Sequence, residues 1–223
     1  MYRFAGCMIV VISLMFAGCS SSYTPEVQTI TAQASINRID ELFVSGNDGG
    51  KVRTEFVTSS MQYWTQEGKS IWTVWGSGGG NFMSRTVEMG KSSGYSGGGY
   101  GIVFCQGEYI VNGVQQPVML VVMINNDGNY IIGKAIGGVF KDSDWWKTTP
   151  YLNQGAGAGN EVKVSYEAES DEFRLDINGY FVESFRDDDE PRLRSGKDGY
   201  VVVITPFDQF PQSGIAVYFR EDR

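Results

Sequence analysis

Two stretches of the chain gather side chains able to do chemistry. Asp142, Asp144, Trp145, Trp146 and Tyr151 fall in one irregular segment. Aromatic rings beside carboxylates suit a sugar, whose C–H face packs on a ring while its hydroxyls donate to the acids. The same tryptophans could plug the edge of a packed layer, so ligand contact and packing both stand as expectations here. Trp64, Trp72 and Trp75 pose the same choice. The second stretch is Asp187-Asp188-Asp189-Glu190, in which Asp187 and Asp189 are candidate ligands of a calcium ion. Calcium takes about six to eight oxygens from several segments, whereas adjacent carboxylates point in different directions. A solvated loop beside Arg186, Arg192 and Arg194 is therefore the competing reading. No other cofactor is expected.

Several chemistries are excluded by composition. The 223 residues contain no histidine, which removes Ser-His-Asp and Cys-His catalysis together with His-ligated zinc. Lys and Arg number 18 against 26 Asp and Glu, a formal charge of −8, and no basic cluster is present to release counterions from a nucleic acid. Ser77-Gly78-Gly79-Gly80 and Ser96-Gly97-Gly98-Gly99 lack the Lys-Ser/Thr that completes a phosphate loop, so they read as flexible connections.

The N-terminus carries an address. Arg3 precedes an apolar run from Phe4 to Phe16 that is too short to cross a bilayer and reads as the core of a signal peptide. It ends Leu14-Met15-Phe16-Ala17-Gly18-Cys19, followed by Ser20-Ser21-Ser22, and this resembles the lipobox of bacterial lipoproteins. The resemblance implies removal of residues 1–18, acylation of Cys19 with fatty acids such as palmitate, and a bilayer as partner. Ser20 in place of Asp implies the outer membrane or cell surface. Acyl chains contribute about 0.8 kcal/mol per buried CH₂, so several together hold a protein stably. Cys7 would leave with the signal, and Cys105 would remain as a lone thiol in a strand-like run, a small buried hydrophobe without a catalytic base.

Behind that address the dominant period is two. Residues 19–50 read as a tether with a short helix, Pro25 near its start and Ile36, Ile39 and Leu42/Phe43 at helical spacing, broken by the run from Ser45 to Gly50. From Lys51 to the end, one domain of about a dozen strands is expected. Val162, Val164 and Tyr166 alternate with Glu161, Lys163 and Ser165, and Phe173, Leu175 and Ile177 with Arg174 and Asp176. Asn178-Gly179 is a strong hairpin signal, and Asn126-Asp127-Gly128 joins two further runs. Val118–Ile124 is apolar on both faces, which places it centrally or between layers. Gly199–Thr205 and Gly214–Arg220 supply the last strands.

The ordered succession of Tyr100–Phe104, Met123–Tyr130, Gly155–Asn160, Phe173–Gly179 and Gly196–Gly199 resembles the concanavalin A-like lectin/glucanase superfamily, in its laminin-G-like branch, over roughly residues 80–220. The resemblance implies an all-β, two-sheet antiparallel jelly-roll sandwich. Glycosidases of that fold resemble one another in a strand bearing E-x-D-x-E or E-x-D-x-x-E, whose alternation sets nucleophile and acid on one face. Glu169-Ser170-Asp171 is the only E-x-D here; Phe173 and Arg174 stand where the third carboxylate would be, so a hairpin loop explains it better. The expectation is a membrane-anchored, non-catalytic jelly roll binding a glycan or protein at the cell envelope. A carbohydrate-active hydrolase and a structural or adhesive surface protein remain open alternatives.

Overall fold

The computed structural model describes residues 42–64, 71–77, 79–142 and 146–222. In chain order the strands are β1 (Phe43–Asp48), β2 (Lys51–Thr58), β3 (Ile71–Ser77), β4 (Ser84–Ser93), β5 (Tyr100–Val111), β6 (Val114–Ile124) and β7 (Asn129–Ile136). Then follow β8 (Val139–Asp142), β9 (Lys147–Thr148), β10 (Asn160–Glu167), β11 (Glu172–Ile177), β12 (Tyr180–Phe185), β13 (Lys197–Ile204) and β14 (Ile215–Asp222). They form two antiparallel sheets, ordered β1-β2-β14-β4-β10-β11-β12 and β3-β13-β5-β6-β7-β8, with β9 paired to β7. The fold is the two-sheet antiparallel jelly-roll sandwich that the resemblance implied.

The alternating strands behave as their period requires. Val162 and Val164 are buried while Glu161 and Lys163 face water, and Phe173, Leu175 and Ile177 are fully buried on β11. Together with Phe56, Phe104 and Phe219 they fill the space between the sheets. The continuous apolar run of β6 divides between two environments. Val118, Leu120, Val122 and Ile124 point into that core, whereas Met119, Val121 and Met123 join Val103, Val201 and Val203 in a second buried cluster on the sheet's other face. That sheet is apolar and buried on both sides, which explains why its strands lack alternation.

The sandwich begins inside the stretch read as a tether. β1 pairs with β2, Phe43 opposite Phe56 with ring centroids 5.0 Å apart. Gly49 and Gly50, at φ +60° and +92°, are the turn of a hairpin rather than the end of an element. The strand escapes the pattern because it is an edge strand whose middle four residues are all exposed. Ile36 and Ile39, and with them the expected helix, lie outside the described residues, as do Cys19 and the leader. Glu169-Ser170-Asp171 lies between β10 and β11, as a hairpin loop should.

Candidate functional site

One end of the sandwich is built from connecting loops that hold one another. The Asn126 amide donates to the Ser96 carbonyl at 3.0 Å, and the Gly155 amide donates to the Asn126 carbonyl at 3.0 Å. These bonds tie the β4–β5, β6–β7 and β9–β10 connections into a belt. The β13–β14 connection joins it through Asp208, whose carboxylate accepts from the Tyr95 amide at 2.7 Å and from the Thr205 amide at 2.7 Å.

Tyr151 and Tyr180 stand on this end as an open pair. Their ring centroids are 4.7 Å apart with planes 8° from parallel, yet the residues stay 38% and 58% exposed. Asn178 sets the arrangement. In the β11–β12 turn Asn178 and Gly179 adopt φ +52° and +81°, the left-handed conformation that this hairpin demands. The Asn178 side chain accepts from the Glu161 amide at 2.8 Å and donates to the Tyr151 carbonyl at 2.7 Å and to Asn160 Oδ1 at 2.9 Å. One turn residue therefore fixes the strand that carries Tyr180 to the loop that carries Tyr151. Further along β12, Glu183 accepts from Lys147 Nζ at 3.1 Å and from the Tyr130 hydroxyl at 3.3 Å, closing the edge between the sheets. Phe181, 49% exposed, lies beneath the Arg174 guanidinium at 4.7 Å.

The residues singled out from sequence are only partly brought together. Tyr151 lies at the surface pair. Trp146 is half-buried and packs against the second apolar cluster. Asp142 ends β8 opposite Gly133, and Asp144 and Trp145 lie outside the described residues. Trp64 is half-buried and donates to the Asp208 carbonyl at 2.7 Å, and Trp72 and Trp75 of β3 stand opposite Val203 and Tyr200. No sequence signal singles out Tyr180 or Glu183; a strand pattern marks that a residue alternates, not which ring it will meet.

The acidic run folds around a cation of the protein's own. Lys134 Nζ donates to Asp187 Oδ1 at 2.8 Å, to the Asp189 carbonyl at 2.7 Å and to the Pro191 carbonyl at 2.6 Å. The second oxygen of Asp187 accepts from the Leu193 amide at 2.6 Å. Both Lys134 and Asp187 are buried, so a calcium ion at Asp187 would have to displace the ammonium. Among the described residues no three Asp, Glu or Cys side chains form a metal-binding group.

Other carboxylates are similarly engaged. Glu88 pairs with Arg220, and Glu221 meets both Arg85 and the Tyr200 hydroxyl. Asp171 accepts from Arg194 at 2.7 Å and from the Tyr166 hydroxyl at 2.7 Å, and the Arg194 bond leads in lowering it to about 2. Asp198 is raised, chiefly by burial, and its Oδ1 lacks a hydrogen bond, but it sits at the far end of the sandwich beside the charge of Arg85. Burial pushes the Cys105 thiol up to about 12, so it is a packing residue at neutral pH.

Solved structures align with this chain over most of its length. A β-glucanase of Bacillus licheniformis superposes with a TM-score of 0.50 at 8% identity, over 82% of this chain and 83% of that one. A carbohydrate binding module from Bacillus subtilis gives 0.45 at 12% identity, over 79% and 85% of the two chains. A glycoside hydrolase family 16 endo-glucanase from Bacteroides ovatus gives 0.48 at 8% identity, over 80% and 83%. No protein-family model matches the sequence, and no curated protein matches it significantly. At these identities the likeness is one of fold.

Proposed function

We propose that this is a membrane-anchored, non-catalytic jelly-roll module that binds a glycan at the cell envelope, with Tyr151 and Tyr180 as its platform. The observation that carries the reading is that two near-parallel rings are held open to solvent by a hydrogen-bonded turn residue, although stacking alone would favour covering them. Sugar C–H faces pack on such rings, while Asn153 and Gln154, exposed on the adjoining loop, offer partners to hydroxyls.

Charge speaks against catalysis. Retaining glycoside hydrolysis places two carboxyl groups about 5–5.5 Å apart, one ionised and one protonated, flanking the bond to be cut. Glu88, Asp171, Glu183, Asp187 and Glu221 each face a cation instead. Anchoring rests on the N-terminal pattern, with acylated Cys19 holding the module at the outer membrane or cell surface.

Incubating the detergent-solubilised full-length protein with envelope polysaccharides tests both halves of the reading. Binding without new reducing ends supports it; release of reducing ends establishes the hydrolase alternative, and absence of any saccharide binding favours an adhesive role toward protein. Replacing Cys19 by Ser should abolish incorporation of labelled palmitate and release the protein from the membrane.

A further inference from the structure

A second exposed ring pair stands on the same loop end. Tyr95, 40% exposed, and Phe207, 62% exposed, have centroids 5.0 Å apart with planes at 40°. The scaffold beneath them is polar and buried. Lys91, fully enclosed, donates to the Tyr95 carbonyl at 2.7 Å and to the Gly98 carbonyl at 3.2 Å. Asp208, 2% exposed, accepts from the Tyr95 amide on one oxygen and from the Thr205 amide and hydroxyl on the other. Enclosing a lysine and an aspartate costs solvation free energy, and here both hold the loops that keep two rings in water.

Between the two pairs runs the loop belt, two hydrogen-bonded backbone steps from Ser96 to Asn126 to Gly155. On that belt Asp127 is exposed in the β6–β7 connection, and the Gln154 amide lies over Gly128. Rings at both ends with hydrogen-bonding groups between them match an extended chain of sugars. The formal charge of −8 and the carboxylate of Asp127 disfavour a polyanionic chain.

We infer that Tyr95 and Phe207 form a second ring subsite, and that the ligand is an uncharged glycan chain long enough to span from it to Tyr151 and Tyr180. This rests on the glycan-binding reading above. The test titrates the full-length protein in detergent with laminari- and cello-oligosaccharides, from disaccharides to octasaccharides, and with polygalacturonate. Affinity should rise with chain length in the wild type and be weak for polygalacturonate. Phe207→Ala should remove that rise, lowering affinity for the longest chains about tenfold while leaving the shortest unchanged. Tyr180→Ala should weaken every length. If Phe207→Ala leaves long-chain affinity intact while Tyr180→Ala abolishes it, the second subsite is overturned and the glycan reading stands. Equal affinity for polygalacturonate overturns the uncharged chain, and no binding of any probe overturns both readings.

Discussion

Burial brings the ammonium of Lys91 down to about 8, partly offset by the nearby charges of Asp208 and Asp127. The direction of the resulting pH effect follows from which state binds more protons. An unfolded lysine titrates near 10.4, so between about pH 8 and pH 10 the unfolded chain holds a proton that the native protein has lost. Stability must then rise with pH across that window, by about 3 kcal/mol at most. Tyr100 and Tyr200, raised chiefly by burial, act oppositely above about pH 10, where the unfolded tyrosines ionise and the native ones do not. Thermal melts should show the wild type gaining on Lys91→Met from about pH 7.5 to about pH 9.5; parallel curves would contradict a buried, depressed lysine. Asp187 makes a second prediction. Because its partner is Lys134, Asp187→Ala should cost about 3–5 kcal/mol in denaturant melts, equally in calcium and in chelator. A loss confined to the calcium-containing samples would instead make it a metal ligand.

Among the elements, the hairpins were the most legible. Asn178-Gly179 turns the chain with both residues at positive φ, Asn112-Gly113 makes the β5–β6 turn by the same chemistry, and in Asn126-Asp127-Gly128 it is Gly128 that takes positive φ. β1 was illegible because its mostly exposed residues carry no alternation, and the Tyr151–Tyr180 pair because no spacing in one dimension marks two distant rings that meet. Lys91 gave no signal either, since a lone lysine in a strand ordinarily reaches water. Two predictions belong at this scale. Asn178→Ala removes the bonds that tie the Tyr151 loop to β12, so glycan affinity should fall several-fold while the ring pair remains present; unchanged affinity would mean that the loop holds itself. Gly101 sits where β5 approaches β6 so closely that a Cβ would lie 2.0 Å from the Val122 carbonyl oxygen. Gly101→Ala must therefore push the two central strands apart, at a cost above about 3 kcal/mol in chemical unfolding, and a near-neutral result would refute that register.

For the molecule as a whole, the two sheets leave one end rich in loops, and both exposed ring pairs gather there. The opposite end holds Arg85, Glu221, Tyr200 and Asp198 in a partly buried cluster, so polar chemistry at that end is turned inward. On the outer face of the β13-β5-β6-β7 sheet, Val103, Val121 and Val201 are fully buried. The proposed glycan platform lies on the loop end, where Tyr151 and Tyr180 are exposed. Isothermal titration of the full-length protein with laminari- and cello-oligosaccharides, beside a Tyr151→Ala/Tyr180→Ala variant that keeps the wild-type melting temperature, tests this most directly. Saturable heat in the wild type that disappears in the variant is the predicted result; identical isotherms from the two proteins would contradict a tyrosine platform as the site of binding.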